Sequence, residues 1–388
     1  MAAVGTPLNR TLVRVRKPFS EDRTTAVVAT TLSVLALTYP LIDRALNLGA
    51  LDDLFPIVVY ILLALGLNIV VGFAGLLDLG YAAFFAIGAY TVAILTSPSS
   101  PVASWLPFEL NFWAALILAF FTAAIFGVIL GAPTLRLRGD YLAIVTLGFG
   151  EIVPIVFRNA VGLTKGDQGL NAIAQPNIFG YELNSSTLWG WWYLLMLVGL
   201  LIIFMARRLR DSRLGRAWMA MREDEIAAAS MGIDLVKTKL FAFALGASFS
   251  GLAGVLFASR YSFANPSQFE FSTSVLLLSM VILGGLGNIW GVIVGGLLLG
   301  VFDRILSARA TGWIQGLGDA TGIELLEKVN LRDSRVGFFG LTLVLMMLLR
   351  PEGLLPNAQR KRELEAQATP EGEVRVDETL YDKRGEPL

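Results

Sequence analysis

Long apolar runs separated by short polar interruptions set the rhythm of this chain. At helical rise, about 20 apolar residues cross the hydrocarbon of a bilayer, so runs of this length read as membrane spans. The pattern predicts ten: 24–42, 54–71, 79–95, 112–132, 141–157, 188–206, 240–258, 271–283, 290–305 and 336–349. Asp43-Arg44, the Gly72–Gly75 break, the Pro98/Pro101 linker, Pro133 and Arg350-Pro351 punctuate them. Spans eight and ten are short for a bilayer, so eight or nine crossings with re-entrant hairpins is the rival count. The segment 158–187 is polar and too long for a tight turn, and 306–335 carries one expected interfacial helix over Trp313–Leu326.

The longest polar interruption with helical patterning is 207–239, RRLRDSRLGRAWMAMREDEIAAASMGIDLVKTK. Leu214, Trp218 and Met221 fall at i, i+4 and i+7, which predicts an amphipathic helix. Ile226, Ala229 and Ile233 continue an apolar stripe on a rotated face. Within it Glu225, Ala227, Ala228 and Gly232 form a short, small-residue helix suited to close docking against another protein. Its bland reading is a solvated loop beside the membrane.

Charge orients the pattern. Arg207, Arg208, Arg210, Arg213, Arg216, Arg222, Lys237 and Lys239 place this interruption in the cytoplasm by the positive-inside rule. Ten spans with both termini inside then put the basic N-terminal segment 1–23, Arg136/Arg138 and the tail 351–388 on the same side. The tail is charged, lacks periodicity and reads as disordered. With 55% apolar and 16% charged residues the chain is an all-α polytopic membrane protein, about ten transmembrane helices with Gly-broken hairpins. Formal net charge is zero, which gives no sign of a nucleic-acid partner.

Chemistry is sparse. Cys and His are both absent, so thiol and imidazole catalysis and Cys/His metal sites are excluded. No phosphate-binding loop is present, nor any Gly-Lys dipeptide, so any ATP-driven role requires a partner subunit. A charge inside a span asks for a reason. Glu151 lies near the middle of span five, with Arg158 two helical turns on as a pairing candidate. Asp78 lies at a hairpin end as an N-cap or gate element, and Asp303-Arg304 reads as a local or interface ion pair. The two Gly-rich breaks, Gly72–Gly80 and Gly284–Gly291, occupy corresponding hairpins of the two halves, and interrupted spans in matching positions point to a transport site. Asn68, Gly72, Gly75, Asp78, Tyr81, Glu151, Gly287 and Asn288 are therefore the pathway candidates. Gly246/Ser250/Gly254 and Gly287/Gly291/Gly295 repeat every fourth residue, as close helix packing in lipid favours.

Six stretches in order resemble the LivM-type permease of branched-chain amino acid ABC importers: LGLNIVVGFAGLLDLGYAAFFAIGAY (65–90), GDYLAIVTLGFGEIVPIVFRN (139–159), LTKGDQGL (163–170), GRAWMAMREDEIAAASMGI (215–233), VLLLSMVILGGLGNIWGVIVGGLLLG (275–300) and RPEGLLP (350–356). The resemblance covers roughly residues 50–356. It implies an ABC-importer permease bundle, with 207–239 as the loop that rides on the ATPases through Trp218, Glu225, Ala227, Ala228 and Gly232. Ile226 departs from the family's common form, in which the Glu directly precedes the two Ala. The resemblance also implies the partners: a second homologous permease (LivH-type), two cytoplasmic ATPase subunits that carry ATP and magnesium, and a periplasmic amino-acid-binding protein. This chain would hold no cofactor and sit in the bacterial inner membrane. A urea or short-amide importer permease is the alternative cargo reading, and a stand-alone secondary transporter the alternative class.

Overall fold

The computed structural model describes residues 23–46, 49–102, 110–134, 140–178, 180–184, 187–321, 335–350 and 352–355. The basic segment 1–22, the pair Arg136/Arg138 and the tail beyond 355 lie outside them. The described helices follow the apolar runs: α1 (Arg23–Leu46), α2 (Leu51–Leu67), α3 (Ala82–Thr96), α4 (Phe112–Thr134), α5 (Asp140–Asn159), α6 (Val161–Thr164), α7 (Leu188–Asp211), α8 (Arg213–Glu223), α9 (Glu225–Ser230), α10 (Leu235–Tyr261), α11 (Phe271–Gly284), α12 (Ile289–Val301), α13 (Ser307–Thr321) and α14 (Arg335–Leu349).

Among the described residues, seven helical stretches are long and apolar enough to cross a membrane, and 82–96 and 336–349 are shorter apolar helices. The chain is a multi-pass membrane protein. Two stretches depart from the predicted boundaries. The expected interfacial helix is no separate element at its start: α12 runs through a π-helical segment, Phe302–Leu306, directly into α13. The rest of that expectation, 322–326, falls outside the described residues. The segment 158–187 also folds locally. Its strand β1 (Leu170–Asn171) pairs antiparallel with β4 (Phe263–Ala264), and β2 (Asn177–Ile178) pairs with β3 (Tyr181–Glu182). The strand pair β1–β4 ties this segment to the far end of α10.

Burial sorts the helices into a centre and a rim. The stretch Leu51–Phe73 is apolar on every side and 89% buried, as an all-round hydrophobic helix must be. Helix α4 is equally apolar but only 33% buried. Its Ile117, Phe121, Ile125 and Ile129 form an exposed stripe at i+4 spacing, a face suited to lipid or a second subunit. Central α10 packs against α3 and α4 because small residues let the backbones approach. At Gly88 and Gly251 the helices touch backbone to backbone, and Gly254 lies against Ala89. Without a hydrophobic force between helices in lipid, such contacts supply the attraction through dispersion. Gly291 and Gly295 of α12 pack the same way onto α11.

Candidate functional site

The segment 207–239 folds as two short helices hung beneath the bundle. Ser212 caps α8 by accepting from the amide of Gly215, and Asp224 caps α9 by accepting from the amides of Ile226 (2.7 Å) and Ala227 (3.0 Å). The Leu214/Trp218/Met221 stripe faces the protein as its spacing predicts. Trp218 is fully buried and donates its indole N–H to the carbonyl of Thr238 at 2.8 Å. It anchors α8 from within and offers nothing to an outside partner. Glu225 is also turned inward: its Oε1 lies 2.7 Å from Nζ of buried Lys239. Ala228 is buried, whereas Ala227 and Gly232 are exposed. Gly232, at φ +85°, takes the left-handed conformation that ends α9 and lets the amide of Ile233 reach the carbonyl of Ala228. Around them Ile226 and Met231 stand 67% and 84% exposed, an apolar surface on a charged segment. At the start of α10 the amide of Lys237 donates to Asp234 and holds its carboxyl below the usual carboxylate range.

The first break begins where α2 loosens into the π-helical segment Asn68–Phe73, the chain then turning through 74–81 into α3. π-turns inside α-helices occur frequently at functional sites because they free a carbonyl and re-aim side chains. One such carbonyl, Gly72 O, accepts from Nη1 of Arg222 at 2.5 Å, and the aliphatic part of Arg222 lies against Gly75. Arg222 belongs to α8, so the polar segment grips the first break directly. In the sequence Arg222 is one basic residue among eight, and no spacing signal singles it out.

The second break, 285–288, lies against the first. Asn68 Oδ1 accepts from the amide of Gly287 at 2.9 Å, and Gly72 packs against the same amide. Asn288 caps α12 through the amides of Trp290 and Gly291, and its Nδ2 donates to Leu355 O at 2.9 Å. The amides of Leu354 and Leu355 donate to Leu283 O and Gly284 O, so the first residues of the expected tail are docked rather than loose. Of the pathway candidates, Asn68, Gly72, Gly75, Gly287 and Asn288 are thus brought together.

Three other candidates do not meet the second break in these contacts. Asp78 is fully buried, but α3 begins only at Ala82, so it is not the cap of that helix; its Oδ1 accepts from the amide of Gly80 at 2.9 Å and closes the turn. Tyr81 is buried and donates to Gly246 O at 2.6 Å, which joins α3 to α10. Glu151 lies on an exposed face of α5 beside Ile152 and Ile155, while its neighbour Gly150 packs on Gly80 of the first break. Its expected partner Arg158 pairs instead with Asp167 at 2.8 Å, because the turn after α5 brings that carboxylate back over the helix end.

The fold is thus a helical membrane bundle with two glycine breaks in contact, one held by an amphipathic polar segment, an arrangement compatible with a membrane permease. The comparisons agree: the chain belongs to the family described as branched-chain amino acid transport system / permease component, which matches residues 50–347. It is 40% identical over 356 residues to the high-affinity branched-chain amino acid transport system permease protein LivM of Salmonella typhimurium, covering 86% of this chain and 76% of that one. The Escherichia coli LivM is also 40% identical, over 346 residues, covering 84% of this chain and 73% of that protein. The permease protein LivH of Salmonella typhimurium is 29% identical over 266 residues, 64% of this chain and 82% of its own. No solved structure matches the chain.

Proposed function

We propose that the chain is the membrane permease subunit of an ATP-driven importer that moves branched-chain or other neutral amino acids inward. One observation carries the reading: an apolar surface, Ile226, Ala227 and Met231, is presented on a polar segment whose other face is locked to the bundle by Trp218 and Arg222. A surface so exposed on one side and so rigidly coupled on the other is what an external motor needs. Two cytoplasmic ATPase subunits dock there and bring ATP and magnesium, while this chain contributes none of the hydrolytic chemistry. A second, LivH-type permease completes the pathway, and a periplasmic amino-acid-binding protein delivers cargo to the opposite face.

In this orientation 207–239 and both termini are cytoplasmic, and the chain crosses a bacterial inner membrane ten times: α1, α2, α3, α4, α5, α7, α10, α11, the α12–α13 rod and α14. The similarity to permeases named for branched-chain amino acid transport supports the cargo. Glycine 232 offers the test. A side chain there has open space around it but forces a strained left-handed backbone on the docking surface. In proteoliposomes holding the whole importer, Gly232→Trp is expected to abolish ATP-dependent leucine uptake while the complex still inserts and pairs. Uptake that persists with normal ATPase stimulation rules out the docking role.

A further inference from the structure

The face opposite the coupling segment carries a cavity that neither the breaks nor the docking surface accounts for. It has a volume of about 370 Å³, within the range of about 300–1,000 Å³ typical of small-molecule sites. Five elements enclose it: α2, the end of α10 with the short turn after it, α11, the π-helical segment Phe302–Leu306, and α14. One wall is apolar, formed by buried Phe257, Leu276 and Phe339. The other is polar, and Ser272 and Thr273 present hydroxyl groups there.

Both signs of charge meet in this cavity. Asp303 is buried, Arg304 is partly exposed, and Arg304 Nε stands 3.9 Å from Asp303 Oδ2. Arg304 also donates from Nη2 to the Tyr60 hydroxyl at 3.1 Å, which fixes the guanidinium against the cavity wall. Asp303 and Arg304 are neighbours in the π-helical segment, and both line the cavity. Charged groups at membrane depth are costly and mark substrate paths. The floor is shut: Leu63, Ala64, Leu277 and Met280, next along α2 and α11, have no exposed surface. The cavity is therefore a receiving pocket and not an open channel. On α2 it begins at Tyr60, eight residues and about 12 Å from Asn68 in the first break.

We infer that this pocket is a low-affinity cargo site within the permease, and that it takes an aliphatic α-amino acid as its zwitterion. Arg304 receives the carboxylate, Asp303 the ammonium group, and the Phe257/Leu276/Phe339 wall the side chain. This rests on the amino-acid reading above. A bare cation meets Arg304 and a bare anion meets Asp303, so a molecule carrying both charges fits better than either. A hydrocarbon chain has a better home in the predominantly apolar groove between α1, α2, α7 and α12, lined by Leu35, Leu54, Trp192 and Trp290.

The experiment uses the complete importer in nanodiscs without its binding protein, and measures displacement of radiolabelled leucine. Unlabelled leucine is expected to compete at least tenfold better than isocaproate, which lacks the ammonium group, or isopentylamine, which lacks the carboxylate. Arg304→Gln is expected to weaken leucine binding at least tenfold. Ser272→Trp, which fills the cavity and leaves the charges in place, is expected to do the same should the charge variant fail to assemble. Equal competition by the three compounds, or unchanged binding in an assembled variant, overturns the site. So does a wild-type importer that takes up leucine yet binds none without its binding protein. Uptake of no amino acid by the wild-type importer contradicts the cargo reading instead, and is scored separately from the variants.

Discussion

The two glycine breaks are built from the same materials and carry different loads. The first, 68–81, is held from outside the bundle: Arg222 of the polar segment bonds to its freed carbonyl and covers Gly75. The second, 284–288, is held from within the chain's own end, by Leu354, Leu355 and the Asn288 amide. Between them runs a hydrogen bond from the amide of Gly287 to Asn68. A push on α8 would therefore reach the first break directly and the second through Asn68 and the contact of Gly72 with the Gly287 amide. One break is tied to the polar segment and the other to the chain's own end, and the difference lies in these ties rather than in glycine content.

The comparison breaks most completely where backbones touch. A Cβ at Gly80 would overlap the backbone of Thr146 in α5, and one at Gly291 would overlap Gly284. Gly80→Leu and Gly291→Leu each overpack a site that relaxes only by separating helices, at a cost of about 1–3 kcal/mol or more. Both variants are expected to lose most folded protein from the membrane, read by detergent-solubilised size-exclusion yield. Next comes Arg222→Ala, which removes a charged hydrogen bond worth about 1.5–3 kcal/mol. It is expected to lower leucine uptake per ATP hydrolysed about tenfold. An unchanged ratio means the first break is not driven through α8.

Asn68→Ala takes away the hydrogen bond that joins the breaks and leaves a buried amide unpaired, a loss of about 1–3 kcal/mol. A lower melting temperature together with impaired uptake is the expected outcome. The smallest effect belongs to Asn288→Ala. It removes a helix cap worth about 1 kcal/mol and the tie to Leu355. A modest drop in melting temperature with uptake per ATP unchanged marks the second break as an anchor. A loss of coupling equal to that of Arg222→Ala would make the two breaks equivalent.

Much of this was legible beforehand because membrane helices write themselves in long apolar runs. Backbone polar groups in hydrocarbon must bond within the helix, so composition and length bound each element closely. The predicted run 188–206 and the helix Leu188–Asp211 begin at the same residue, and the Leu214/Trp218/Met221 stripe turned inward as its period required. Side-chain roles were less legible. Trp218 and Glu225 carry the marks of a docking motif, and both face the bundle.

By itself the sequence determined that the chain is a helical membrane protein, where its helices interrupt, and which segment is polar and amphipathic. Those follow from local chemistry: hydrophobic length, glycine and charge. Tertiary structure alone decided that Arg222 holds Gly72, that Asn68 joins the breaks, and that Asp303 and Arg304 share a cavity with Tyr60 and Phe257. Each of these pairs residues from separate helices, apart from Asp303 and Arg304, which are sequence neighbours. Contacts between residues more than a hundred positions apart depend on how the helices pack, and no local pattern records that.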